Sequence, residues 1–280
     1  MNHGGAVLWA LIVDSFRESL SRKIFWGFAG CSTAVILFFL VVLNIDLVEG
    51  SLASIKLFGL PVNEGQTIPA EDVVGGMLGT IAAFLFSIGL FFAIFAAAGL
   101  VPTVLEAGRI ELLLSKPISR LELLLGKFAG AVAVIGVNLI YLAAGVWLVL
   151  GLKTGIWKPM FLFSALLALL AFAVMLSIVQ FVAVLTNSAV LATMVAYFVL
   201  LLGAIASAYD TIGPLFASSG TRYLLRTVYY VLPKVFEMGG MARLAMAGDP
   251  VASWMPVWSS LLFGGVMLAA SYWVFDHKDY

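Results

Sequence analysis

The longest uncharged stretch of the chain constrains its fold more than any other feature. Between residues 159 and 209 no Asp, Glu, Lys or Arg occurs over 51 positions. A helix rises about 1.5 Å per residue and about 20 residues cross the hydrocarbon core, so this stretch is too long for one crossing. The polar triplet Thr186-Asn187-Ser188 divides it. We therefore predict two membrane spans here, at about residues 159–185 and 188–209.

The remaining apolar runs predict four more membrane spans. Of the 280 residues, 63% are hydrophobic and 11% are charged, whereas soluble domains are nearer half apolar and a quarter charged. Runs of spanning length lie at about residues 24–43, 75–101, 120–152 and 254–275. The predicted fold class is therefore an all-α membrane protein in which one transmembrane domain, residues 1–280, has six transmembrane helices and both termini on one side.

The segments outside the spans are predicted from periodicity and composition. Residues 6–23 have apolar side chains at steps of three and four and end in a basic pair, which indicates an amphipathic helix at the membrane interface. Residues 44–74 carry five acidic residues and two prolines, which favours an irregular loop. Residues 210–253 mix charges with tyrosines, and two interpretations stay open: short helices that dip into the outer interface, or a solvated loop.

A charged stretch at residues 102–127 separates the second predicted span from the third. Thr-x-x-Glu at 103–106 and Ser-x-x-Glu at 119–122 have the spacing of capping boxes, which begin helices. Pro117 interrupts the chain between them. We therefore predict a short helix at about residues 104–116 that lies along the membrane surface and presents charges to a soluble partner. An ordinary solvated loop is the alternative that charge alone allows.

The order of residues in this stretch resembles the loop between the second and third helices of ABC-2 type transporter permeases. In that family the loop forms a coupling helix that docks into a separate ATPase subunit. The resemblance is carried by Glu106, Gly108, Glu111, Leu112, Leu113, Leu114, Pro117, Arg120, Gly126 and Lys127, and Arg109 stands where the family usually has threonine. The resemblance implies that the residues which couple the chain to an ATPase are Glu106, Gly108, Arg109, Glu111, Lys116, Pro117 and Arg120. Of these, three charged residues are the expected docking contacts, namely Glu106, Arg109 and Glu111. Pro117 is expected to form a rigid bend in the backbone that transmits movement of the ATPase.

Several kinds of active site are not encoded in the sequence. No G-x-x-x-x-G-K-[ST] motif occurs, so we expect a partner subunit to bind ATP and predict that the chain itself is not an enzyme. The two histidines, His3 and His277, lie near the termini, which leaves no histidine-based metal site and no Ser–His pair within the membrane. No catalytic, cofactor-binding or metal-binding residue is predicted. The formal net charge of zero gives no general attraction to nucleic acid.

The predicted function is that of the membrane-spanning permease subunit of an ABC transporter, which uses ATP hydrolysis by a separate ATPase for export or conformational work. Six spans are half of the twelve typical of a family pathway, so a second permease subunit, identical or related, is an expected partner, as is the lipid bilayer. The predicted location is the cell membrane, with cytoplasmic termini, because basic residues cluster beside the first span and before the third. The alternative is a non-transporting membrane scaffold or assembly factor that anchors a soluble partner.

Overall fold

The computed structural model describes residues 3–21, 23–48, 52–57, 60–61, 68–97, 118–212, 218–251 and 253–278. In chain order the helices are α1 (His3–Ser21), α2 (Lys23–Leu37), α3 (Ala70–Phe84), α4 (Leu90–Ala97), α5 (Arg120–Thr154), α6 (Met160–Thr186), α7 (Ala189–Ser207), α8 (Tyr209–Ile212), α9 (Ser219–Val231), α10 (Val235–Ala247) and α11 (Met255–Asp276). A π-helical turn, Phe38–Val42, follows α2, and another, Leu85–Gly89, joins α3 to α4. The strands are β1 (Leu43–Val48), β2 (Leu52–Leu57), β3 (Leu60–Pro61) and β4 (Ile68–Pro69).

The described helices include five that are long and apolar enough to cross a membrane. They are Ala70–Ala97, Arg120–Thr154, Met160–Thr186, Ala189–Ser207 and Met255–Asp276. A sixth candidate is the pair Trp9–Ser21 and Phe25–Val41, which is bent by 75° at its junction. The predicted all-α membrane fold is confirmed. The bend gives α1 a direction different from that of the helix that follows it.

The break inside the long uncharged stretch lies where the sequence predicts it. Asn187 ends α6 in the left-handed region, with φ of 53°, and its N–H donates to the carbonyl of Ala183. Ser188 begins α7, where its Oγ accepts a hydrogen bond from the N–H of Leu191. Two consecutive polar residues therefore supply both the C-terminal cap of one helix and the N-terminal cap of the next.

The expectation of an irregular loop at residues 44–74 is wrong, because this segment contains a small antiparallel sheet. β2 pairs with β1, β3 and β4. The register of β1 and β2 sets Ile45 opposite Ile55 and Asp46 opposite Ser54. Apolar and polar residues alternate with a period of two from Leu43 to Leu47 and from Ala53 to Leu57, a pattern typical of strands. The two prolines of the segment lie in the two-residue strands β3 and β4, which are short enough to tolerate a missing backbone N–H.

Helix α6 is the centre of the bundle. It packs against α5, α7, α10 and α11. Of its most hydrophobic 18-residue segment, 67% is buried within the protein. Fully buried side chains along it include Phe172, Met175 and Leu176. The other spans have one face on this helix or on one another and leave the opposite face exposed, as expected for helices that contact lipid.

Short helices, rather than a solvated loop, occupy most of the segment before the last span. α9 and α10 meet at Pro233, and α10 packs into the bundle against α3 and α6. Met238 and Ala242 on α10 are fully buried. A Cβ placed at Gly239 would lie 3.1 Å from the Phe86 ring, so glycine allows this close approach. The helical interpretation of residues 210–253 is therefore the correct one for α9 and α10.

Candidate functional site

Four helices meet at the end of the bundle where α5 begins. Leu11 of α1, Leu123 and Leu124 of α5, Val184 of α6 and Phe275 of α11 form one buried apolar cluster there. Burial of these side chains fixes the first turn of α5 against the last turns of two other spans. We call this region the Arg120 end.

Most of the predicted coupling residues lie outside the described residues. The predicted helix at residues 104–116, with Glu106, Gly108, Arg109, Glu111, Lys116 and Pro117, falls within the gap between residues 97 and 118. Ile118, the first described residue after this gap, packs against the apolar cluster of the Arg120 end. The structure of the segment at residues 104–116 and its docking role stay predictions. Arg120 is the one predicted coupling residue whose position the structure describes.

The first turn of α5 is held by the capping box that the sequence predicts. The N–H of Glu122 donates to Ser119 Oγ at 3.2 Å, and the N–H of Ser119 donates to Glu122 Oε2 at 2.9 Å. Each side chain thus satisfies a backbone donor that has no partner within the helix. The box fixes where α5 begins, immediately after the predicted coupling segment.

Arg120 joins the start of α5 to the end of α11. Its Nη1 donates to the carbonyl oxygens of Phe275 and Asp276, both at 2.9 Å, and of Lys278 at 3.0 Å. The last carbonyls of a helix lack partners within the helix and carry partial negative charge, so a guanidinium stabilises them in two ways. The guanidinium carbon also lies 5.9 Å from the centroid of the Phe275 ring. The side chain that the resemblance assigns to coupling therefore binds another helix of the same chain.

Lys278 makes a similar connection to α6. Its Nζ donates to the carbonyl oxygens of Val184 at 2.6 Å and Leu185 at 3.1 Å, and to Asn187 Oδ1 at 3.2 Å. These acceptors belong to the last turn of α6 and its cap. The end of α11 and the residues after it thus bind α5 through their carbonyls, and Lys278 binds α6 through its side chain.

Lys127 connects α5 to the N-terminal helix α1. Its Nζ lies 2.8 Å from Asp14 Oδ2 and 3.4 Å from Glu18 Oε2. The lysine side chain is 6% exposed, although Asp14 is 62% exposed. Glycine at positions 126 and 130 lets the helices approach: a Cβ at Gly126 would lie 2.5 Å from Leu11 Cδ1. Small residues on α5 and an ion cluster around a buried lysine therefore fix the position of α1.

Sequence reasoning missed the structural roles of Lys127 and Lys278. A signal for Lys127 was present, because Asp14 and Glu18 are four residues apart on one face of an amphipathic helix and Lys127 is an isolated charge in an apolar run. No local signal identifies Lys278 or Arg120, since their main acceptors are backbone carbonyls distant in sequence.

A second buried lysine lies between α9 and α10, outside the candidate spans. The N–H of Lys234 donates to Ser260 Oγ at 2.8 Å, and its Nζ lies 4.8 Å from the centroid of the Tyr229 ring. Burial lowers the pKa of Lys234, although the charge of Glu237 acts in the opposite direction. Burial, with a hydrogen bond to Glu237, raises the pKa of the Tyr229 phenol well above its ordinary value of 10.0. The ring faces and Glu237 together offset part of the cost of burying this cation.

Comparison with known proteins identifies the family of the chain. Within the described part of the chain, no group of three or more His, Cys, Asp or Glu side chains could hold a metal ion. No curated protein sequence matches the chain. The model of the family described as ABC-2 family transporter protein matches residues 9–280, which is nearly the whole sequence. The chain therefore belongs to the ABC-2 family of transporter proteins.

Proposed function

We propose that the chain is a permease subunit whose movement is driven by a separate ATPase docked on residues 104–116. As an ABC-2 family membrane domain it is the permease part of an ABC transporter. The ATPase would bind ATP, and the permease would hold no cofactor of its own. The Arg120 end would lie on the cytoplasmic side of a cell membrane, where ATP is available, so the termini would be cytoplasmic.

The network around Arg120 is the observation that supports coupling most directly. The proposed docking segment, residues 104–116, is followed by Pro117, and three residues after this proline Arg120 binds the end of α11. Lys278 extends this network to α6, and Lys127 extends it to α1. A force applied to the docking segment would therefore act on four helices together, because each is tied to the start of α5 or to the residues after α11. Movement of packed helices as a group is a common form of switching.

An exposed apolar stripe on α7 supports pairing with a second permease subunit. Its large side chains recur at steps of three and four and are all exposed: Val190, Met194, Phe198, Leu201 and Ile205. Such a stripe contacts either lipid or another transmembrane helix. We propose that part of it contacts a second permease, identical or related, within a two-permease, two-ATPase complex.

The proposal is tested by separating ATPase binding from ATPase stimulation. Exposed charge pairs contribute about 1 kcal/mol or less each, so one reversal among Glu106, Arg109 and Glu111 should weaken binding slightly. Reversal of all three should abolish co-purification with the ATPase. Arg120→Gln leaves those charges in place but removes the cationic link to α11, so the ATPase should still co-purify. The ATP hydrolysis that the Arg120→Gln permease stimulates should fall by about fivefold or more, because a typical coupling free energy between two sites corresponds to a factor of this size.

Arg243→Gln is the matched control, since Arg243 is an exposed arginine on α10. It should bind and stimulate the ATPase as the unmodified chain does. If the triple reversal retains full binding and stimulation, residues 104–116 are not the docking site. If the ATPase binds but no permease variant changes its turnover, and the unmodified chain gives no stimulation either, the chain acts as a scaffold and the transport proposal is wrong.

A further inference from the structure

A recess of about 510 Å³ lies among the first four spans. Its floor is formed by buried residues of α5 and α6, among them Ile135, Asn138 and Phe172. Its two sides are α2, from Gly27 to Val35, and the π turn with α4, from Leu85 to Phe95. Several side residues are exposed, including Cys31 and Phe95, whereas the floor residues are not. The recess therefore opens outward between α2 and α4, within segments that cross the membrane.

The lining of the recess is almost entirely apolar. Among the described residues that line it, Ser32 and Asn138 are the two whose side chains carry oxygen or nitrogen. The amide nitrogen of Asn138 donates to the carbonyl oxygen of Val134 at 3.3 Å, on its own helix. An ordered water needs two to four polar partners, and an apolar cavity of this kind does not provide them. Water is therefore a poor occupant.

We propose that the recess holds an acyl chain of a membrane lipid. Hydrocarbon is the medium at the open side, and an unfilled recess would forfeit the dispersion contacts of every atom that lines it. The volume lies within the roughly 300–1,000 Å³ range of small-molecule sites. A spanning helix, about 10 Å wide and 30 Å long, would occupy more than about 2,000 Å³ and cannot enter. A single flexible chain fits these dimensions and this chemistry.

Two glycines on α2 provide a matched pair of variants. A Cβ at Gly27, which lines the recess, would meet no atom within 4 Å, and a Cβ at Gly30 would also meet none. Gly30 is exposed and does not line the recess. Gly27→Phe should therefore occupy part of the recess without disturbing the backbone, and Gly30→Phe should add the same side chain to the same helix outside it.

The test uses a phosphatidylethanolamine with a diazirine in the middle of one acyl chain. The permease is cross-linked by light in native-like bilayers, and adducts are mapped to peptides by mass spectrometry. In the unmodified chain and in Gly30→Phe, adducts should concentrate on residues 27–35 and 85–95 relative to the exposed face of α11 at Trp258, Leu262 and Val266. In Gly27→Phe this ratio should fall toward parity while the α11 adducts persist, which also shows that the variant is folded and inserted.

Three outcomes would overturn the proposal. Adducts spread evenly over all lipid-facing helices, or an unchanged ratio in Gly27→Phe, would show that the recess has no preferred lipid. Cys31 is the single cysteine of the chain and lies on one side of the recess. Efficient oxidative formation of a Cys31–Cys31 dimer in membranes would show that a second copy, rather than a lipid, covers this face. Because the lipid measurement needs only insertion of the spans, it succeeds or fails independently of ATPase coupling.

Discussion

Replacing Lys127 by methionine should release α1 from α5. The substitution keeps the length of the side chain but removes the ammonium group that lies between Asp14 and Glu18. The two carboxylates then lose the ammonium group that pairs them with α5. Because α1 is an N-terminal helix held mainly by this one neighbour, we expect local detachment rather than unfolding of the whole bundle.

The size of the effect follows from how exposed the two carboxylates are. Exposed ion pairs contribute about 0–1 kcal/mol, and removing one partner of a buried pair costs about 3–5 kcal/mol. Asp14 is 62% exposed, which puts it near the first limit, while Glu18 is 15% exposed, nearer the second. At 3.4 Å, however, the Glu18 contact is long for a charge-assisted hydrogen bond. We expect a loss of about 2 kcal/mol for the docked position of α1.

A buried serine reports this detachment. Ser15 is 2% exposed and faces Gly130 of α5, so in a Cys31→Ser background Ser15→Cys should react with a maleimide only when α1 opens. When opening is fast relative to labelling, the rate is proportional to the opening equilibrium. A change of about 2 kcal/mol then raises the labelling rate of Lys127→Met roughly 30-fold.

Two controls make the result decisive. Lys23→Met removes an exposed lysine at the start of α2 and should leave the rate unchanged. The triple variant Asp14→Asn, Glu18→Gln and Lys127→Met removes all three charges of the cluster together, so its labelling rate should return most of the way to that of the Ser15→Cys chain that keeps Lys127. An increase below about threefold for Lys127→Met, or an equal increase for Lys23→Met, would refute the reasoning and leave α1 held by apolar packing alone.

Further predictions concern packing and pH. Gly130→Ala should destabilise the permease by about 1–3 kcal/mol in detergent unfolding, because the new Cβ would lie 2.5 Å from Ser15 Cβ. The double variant with Ser15→Gly should recover most of this loss. Gly136→Ala, whose Cβ would meet a leucine methyl at 3.3 Å, should lower the stability by less than about 1.5 kcal/mol. Equal losses of stability in Gly130→Ala and Gly136→Ala would contradict the packing argument. The lowered pKa of Lys234 means that the unfolded chain binds more protons, so stability should rise with pH between that lowered pKa and 10.5. Lys234→Met should be more stable and lose this rise, and an unchanged slope would assign the pH dependence to other groups.

The sequence predicts the transmembrane helices well because one physical requirement dominates them. A long run without charges has few alternatives in a membrane, and the cap at Ser188 divides the longest run without help from distant residues. The capping box at Ser119 is equally local, and it too was predictable. The small sheet after α2 is harder to predict, because the acidic residues and prolines of this segment are typical of loops. The signal for the sheet is the alternation of apolar and polar residues in β1 and β2.

The network at the Arg120 end could not be predicted from local sequence. Arg120 and Lys278 bind backbone carbonyls, and every residue of a chain offers a carbonyl, so residue type does not reveal the partner. Which helix end lies within reach is decided by the packing of α6 and α11. The ion cluster of Lys127 is intermediate, because its partners are residue types that recognise one another although their pairing depends on where α1 lies.

The π turn between α3 and α4 corrects the rotational phase of a long helix. Buried residues along this span recur every four positions: Leu78, Ala82, Phe86, Leu90 and Ile94. At about 100° per residue each step of four advances about 40° beyond a full turn, so a regular α-helix would rotate the last of them about 160° from the first. One extra residue in the wide turn at Leu85–Gly89 takes back about 100° of this drift. Both halves of the span can thus keep one apolar edge on α6 and α10. The number of residues in this turn, more than its composition, is what the fold has to preserve.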